Sequence, residues 1–93
     1  MNTVEETVTR DHARSEIRTF LLDGYLYGFS EEDVQDDTSL LDMGVLDSTG
    51  TMELVAFLSR KFGVQIDDSE IVPDNLDTVS AILNFLAAKG VIE

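Results

Sequence analysis

Apolar side chains recur at three- and four-residue intervals in three separate stretches of the chain, the spacing of an amphipathic helix rather than a strand. The first stretch begins near Asp11. Ala13, Ile17, Phe20 and Leu21 share one face, while Arg10, Arg14 and Arg18 line another at four-residue steps. Gly24 is the expected terminator, through a left-handed C-terminal turn. The second stretch runs from Ser48 to Phe62, with Leu54, Val55, Leu58 and Phe62 as its inward stripe and Gly63 as its stop. The third spans Asp77 to Lys89, with Asp77 or Thr78 as cap, Val79, Ile82, Leu83 and Leu86 inward, and Gly90 at its end.

The intervening segments lack such periodicity. After Gly24 comes a long stretch to Asp47, rich in Asp, Gly, Ser and Thr, in which Leu26, Phe29, Val34, Leu40, Leu41, Val45 and Leu46 are spaced as anchors to a core. Long connections in compact domains are usually functional, and the scattered anchors predict an ordered loop here. "VQIDDSEIV" offers alternating Val64 and Ile66 but no partner strand. It reads as a connector followed by a brief helical turn near Asp68 to Val72, before Pro73. The pattern therefore predicts an all-α fold. It is a four-helix bundle of three longer helices plus one short helix, with a long loop between helices one and two. Residues 1–9 read as a flexible N-terminal tail and residues 10–93 as one domain.

Composition narrows the function. Leu, Ile, Val and Phe make up about a third of the chain, above the level typical of disorder. There is no cysteine, so disulfides, thiolate metal sites and a protein-borne thiol nucleophile are excluded. The formal net charge is −13, and no basic residue lies between Arg18 and Arg60. Such a field repels nucleic acid and anionic bilayers and attracts basic protein surfaces. No apolar run is long enough to span a membrane, and the polar N-terminus has no signal-peptide core, so the expected location is cytoplasmic.

Candidate chemistry is sparse. A calcium loop fails in two registers: from Asp23, Tyr25, Tyr27 and Val34 occupy ligand positions, and from Asp36, Leu40 and Leu41 stand where a ligand and the glycine belong. The one histidine, His12, lies on the first predicted helix, remote in sequence from any serine it would need to activate. Paired carboxylates such as Asp36–Asp37 and Asp67–Asp68 read as solvated loop charge. No metal site and no catalytic constellation is expected. Ser48 stands apart, at the junction of the acidic loop with the second helix. It can be read as a helix cap, since "DST" supplies three good capping residues. Local spacing favours that reading; the alternative is an accessible hydroxyl at the positive end of a helix dipole, where a phosphodiester is stabilised.

"DTSLLDMGVLDSTGTMELVAFLSRKFGVQIDDSEIVPDNLDTVSAILNFL" resembles the acyl, aminoacyl and peptidyl carrier proteins. Four features coincide: the "LLDMGVLDS" approach, a serine opening a helix, "MELVAFLSRKFG" with Phe62 fourteen residues after Ser48, and "DNLDTV" before a last amphipathic helix. The resemblance spans about Asp11 to Lys89. It implies a right-turning four-helix bundle that is not an enzyme. It implies that a phosphopantetheinyl transferase attaches 4′-phosphopantetheine from coenzyme A to Ser48, with Mg²⁺ held by the transferase. The arm's thiol would then carry cargo as a thioester, which suits a chain without cysteine. Position by position, the resemblance assigns partner recognition to Asp47, Thr49, Met52, Glu53 and Ala56.

Departures from the family pattern refine this expectation. Thr49 replaces the common leucine, Gly50 stands where a side chain is frequent, and Arg60 and Lys61 replace acidic residues common in fatty-acid carriers. "GVLDSTGTMELV" looks more like discrete carriers loaded by adenylate-forming ligases, including the D-alanyl type, although "IVPDNLDTV" departs from that type. The implied partners are the transferase, an acyl- or aminoacyl-adenylating ligase and downstream acyl-transferring enzymes, acting on a monomer. A fatty-acid or polyketide carrier, an unmodified acidic adaptor and a hydrolase using Ser48 are the alternatives.

Overall fold

The computed structural model describes residues 8–26 and 28–93. Its four α-helices are α1 (Arg10–Gly24), α2 (Ser48–Phe62), α3 (Pro73–Leu76) and α4 (Val79–Ala88). The apolar stripes face one another as the spacing predicts. Ala13, Ile17 and Leu21 of α1 meet Leu54, Val55 and Leu58 of α2 and Val79, Ile82, Leu83 and Leu86 of α4 in one core. Phe57 and Phe85 are also buried, whereas Phe20 and Phe62, expected inward, are half-buried. Phe20 stacks on Phe57 at 4.2 Å between ring centroids, joining α1 to α2. Among the described residues, β structure is limited to an isolated parallel bridge between Val8 and Ile92, and no helix is long and apolar enough to cross a membrane.

Of the segment expected as a tail, residues 1–7 lie outside the described residues. Val8 and Thr9 are engaged by the fold: Glu93 N–H donates to the Val8 carbonyl at 2.9 Å, and the Thr9 hydroxyl caps α1 by accepting from His12 N–H at 3.1 Å.

Two helix ends differ from the sequence expectation. Gly24 does not take a left-handed turn; it stays helical, and Tyr25 ends α1 in the right-handed region with its N–H on the Leu21 carbonyl. The continuation carries Leu26 into the core and lays Tyr25 against Phe20. That packing outweighs the local convenience of a glycine stop. The brief turn expected before Pro73 is present as a 3₁₀ turn, Asp68–Glu70, but the short helix itself, α3, begins at Pro73. Proline fits a first helical position, where its missing N–H would have had no intrahelical acceptor. Gly63 does close α2 in the left-handed conformation, at φ 69°.

The loop between α1 and α2 is ordered by two mechanisms. Leu26, Val34, Leu40 and Val45 are buried, while Phe29 (48 % exposed) and Leu41 (47 % exposed) are not the anchors their spacing suggested. Polar clamps do the rest. Arg18, 9 % exposed, donates through its guanidinium to the Glu31 carbonyl at 2.8 Å and lies 3.4 Å from Asp36, while Arg14 Nε donates to Asp36 at 2.6 Å. At the far end, the Asp77 carboxylate accepts from the Ser39 hydroxyl at 3.0 Å and Leu41 N–H at 2.8 Å, and its carbonyl accepts from Leu40 N–H at 2.7 Å. With Asp77 so engaged, Thr78 caps α4, its hydroxyl accepting from Ala81 N–H at 2.9 Å.

Replacing Asp77 by alanine removes both side-chain acceptors of the loop clamp. Thermal unfolding of Asp77→Ala is expected to show a loss of roughly 1–3 kcal/mol, which for a domain of this size lowers the midpoint by about 4–8 °C per kcal/mol. Asp77→Asn keeps one acceptor oxygen and is expected to lose less.

Candidate functional site

The N-terminus of α2 is built by Asp47, not by Ser48. Asp47 has extended backbone dihedrals, its side chain accepts from Gly50 N–H at 2.6 Å, and its carbonyl accepts from Thr51 N–H at 2.9 Å. That is the N-cap role, so Ser48 is the first helical residue. Its side chain is exposed, and its hydroxyl has no hydrogen-bond partner among the described residues. The cap and the serine sit on a rigid base. Gly50 is buried, and a Cβ placed on it would overlap the Val45 carbonyl oxygen. The glycine therefore lets the incoming loop cross α2 at backbone contact.

From this end, Thr49, Met52, Glu53, Ala56 and Arg60 all stand exposed on α2. Their spacing of three and four residues places them in one continuous stripe. Met52, at 55 % exposure, is the most exposed large apolar side chain described. Four of the five residues assigned to recognition thus share a face, and the fifth, Asp47, caps the same helix.

Glu53 is fixed from a distance. The Tyr25 hydroxyl donates to Glu53 Oε1, linking the end of α1 to the middle of α2. The Tyr25 pKa is pushed up to about 12, first by that hydrogen bond, then by burial and the charges of Glu53 and Asp47. His12 pairs on its own helix with Glu16, Nε2 to Oε2 at 3.5 Å. Among the described residues, no group of three or more His, Cys, Asp or Glu could hold a metal ion. Neither Tyr25 nor the arginine clamps were legible as site elements in the sequence, because each contact joins residues 13 to 28 positions apart with no shared periodicity.

A profile for the phosphopantetheine attachment site matches residues 26–86, which span the loop, α2, α3 and most of α4. The chain belongs to this family. Among curated proteins, it is similar to the D-alanyl carrier proteins of Streptococcus sanguinis (strain SK36), Streptococcus thermophilus (strain CNRZ 1066) and Streptococcus pyogenes serotype M1. Each is 43% identical over 54 residues, covering 56% of this chain and 68% of the relative. As a phosphopantetheine-family carrier, the protein has a covalent phosphopantetheine as its implied prosthetic group. The N-terminus of α2 fits such a group. It offers an exposed hydroxyl free of other duties, beside Ser48 and Thr49 N–H groups that have no acceptor among the described residues.

Two outcomes follow from this geometry. Alanine in place of glycine in a helix ordinarily stabilises by up to about 1 kcal/mol. At Gly50 the overlap with a backbone oxygen reverses the sign, and Gly50→Ala is expected to destabilise by about 1–3 kcal/mol in thermal or urea unfolding. Alkaline difference spectroscopy on a Tyr27→Phe background, which leaves one phenol, should place Tyr25 near pH 12. Glu53→Gln should bring that value back toward 10. Because the folded state holds the proton more tightly, the associated stability is complete below pH 10 and is lost as pH rises through 12.

Proposed function

We propose that this protein is an aminoacyl carrier in which Ser48 Oγ bears the phosphopantetheine arm. The observation that supports the reading most directly is the division of labour at α2. Asp47 caps the helix, and Ser48 remains exposed with a hydroxyl that has no partner among the described residues. In the transfer, the Ser48 oxygen, giving up its proton, would attack the phosphorus that bears the pantetheine arm in coenzyme A. The pyrophosphate P–O bond breaks and adenosine 3′,5′-bisphosphate leaves. The Ser48 and Thr49 N–H groups, with the positive dipole end, would favour the phosphodiester formed. The bound group supplies a terminal thiol, which the chain itself lacks. A tether anchored on a rigid helix start raises the effective concentration of cargo at each partner's active site.

An aminoacyl cargo is favoured by the named relatives, all D-alanyl carrier proteins, and by Arg60 and Lys61 on α2, which break the uniformly acidic helix of fatty-acid carriers. The corresponding partners are a phosphopantetheinyl transferase, an adenylate-forming ligase and an enzyme that accepts the activated acyl group, all in the cytoplasm. The exposed stripe Thr49–Met52–Glu53–Ala56, with Asp47 at its head, is their docking face. Acidic surroundings steer basic partner surfaces to it.

Incubation with coenzyme A, Mg²⁺ and a broad-specificity transferase is expected to add one phosphopantetheine by intact mass, and Ser48→Ala to abolish the gain. Wild-type protein without a mass gain would overturn the assignment. The holo-protein should then be charged by an adenylating ligase with an amino acid in preference to a fatty acid; exclusive charging with fatty acids would overturn the aminoacyl reading.

A further inference from the structure

Between α1 and α2 lies an open groove of about 540 Å³ whose lining includes Phe20, Tyr25, Phe57, Asp23, Glu53 and Arg60. The rings of Phe20 and Phe57 are stacked with their planes 12° apart, and Tyr25 packs on Phe20 at 5.9 Å. Tyr25 is thus braced on an aromatic wall while its hydroxyl holds Glu53 Oε1. Glu53 is the one acidic residue within α2, whose other charges are Arg60 and Lys61. A helix with a single carboxylate can discriminate among partners only if that carboxylate has a defined direction. An exposed glutamate has several rotamers, and ordering such a side chain on binding lowers affinity.

We propose that Tyr25 is a positioning residue for partner docking: by holding Oε1 of Glu53, it presents Oε2 at the α1–α2 groove as a pre-oriented acceptor for one basic side chain of a partner protein. The proposal rests on the reading of α2 as a carrier's docking face. The occupant's chemistry follows from the charges at the groove. The molecule's strong negative charge draws a cation in, and Glu53 receives it. Glu16 and Asp23 line the same groove with Glu53 against a single cation, Arg60, so the groove favours a basic side chain over a neutral or acidic one.

Steady-state kinetics of phosphopantetheine transfer test this, with KM for the carrier and kcat measured at several salt concentrations. The proteins are wild type, Tyr25→Phe, Glu53→Gln and the double variant, with thermal unfolding as a check on folding. Tyr25→Phe is expected to raise KM about 2- to 10-fold with kcat unchanged, the size of effect expected from ordering one long side chain. Its salt dependence should persist, since the charge is retained. Glu53→Gln should raise KM and flatten the salt dependence, and the double variant should be no worse than Glu53→Gln. Should Tyr25→Phe fold poorly, Glu53→Asp, which keeps the charge but shortens the reach to Tyr25, is expected to raise KM with salt dependence retained. Additive effects, or a KM untouched by Tyr25→Phe and Glu53→Asp while Glu53→Gln raises it, would overturn the positioning role and leave the carrier reading standing. Four proteins with equal KM would overturn the role of Glu53 as well. A wild-type chain that gains no phosphopantetheine at all would overturn the carrier reading and the proposal with it.

Discussion

The hydrogen bond from Gly50 N–H to the Asp47 carboxylate governs the start of α2. A helix N-terminus leaves its first N–H groups without intrahelical acceptors, and one good side-chain cap is worth about 1 kcal/mol. Once Asp47 takes that role, the next hydroxyl is released from it. Ser48 then stands on a helix whose own dipole favours an attached anion. The same bond needs Gly50 close to Asp47, and the closeness needs the absence of a side chain, because the Val45 carbonyl fills the space a Cβ would take. Cap, glycine and incoming loop are one device.

That device is held in place by charge used internally. The acidic loop is not simply a solvated surface. Asp36 is engaged by Arg14 and Arg18, and Asp77 by backbone and hydroxyl groups at the other end of the loop. These contacts engage two of the chain's six cations and tie the loop to α1 and to the residue before the Thr78 cap of α4. The charge left on the surface stays strongly negative, a field that favours basic protein surfaces. Arg60 and Lys61 then interrupt it at the end of α2, where Lys61 pairs with Glu16 and Arg60 stays exposed in the α1–α2 groove.

A carrier must be recognised by several enzymes through one small surface. In the docking role proposed for it, the exposed stripe of Thr49, Met52, Glu53 and Ala56 beside Ser48 supplies limited area, with Met52 as an adaptable apolar contact. Limited area makes the direction of each polar group count for more. The Tyr25–Glu53 bond restricts the one carboxylate on that helix without adding any area to the interface.

The sequence alone determined the three long helices, most of the core, the long loop and the prominence of Ser48. Those features rest on local periodicity and on residue types next to one another: an apolar stripe at helical spacing buries one face whatever it packs against, and "LDSTG" makes a helix start. Tertiary structure decided the rest. It made Asp47 the cap rather than Ser48, kept Gly24 helical so that Leu26 and Tyr25 pack, and started the short helix at Pro73. It also turned Phe29 and Leu41 outward, and joined Arg18 to the loop and Tyr25 to Glu53. The Asp47 cap and the Pro73 start are selections among neighbouring candidates, whereas the continuation of α1 and the Arg18 and Tyr25 contacts depend on residues far apart in the chain, which no local pattern encodes.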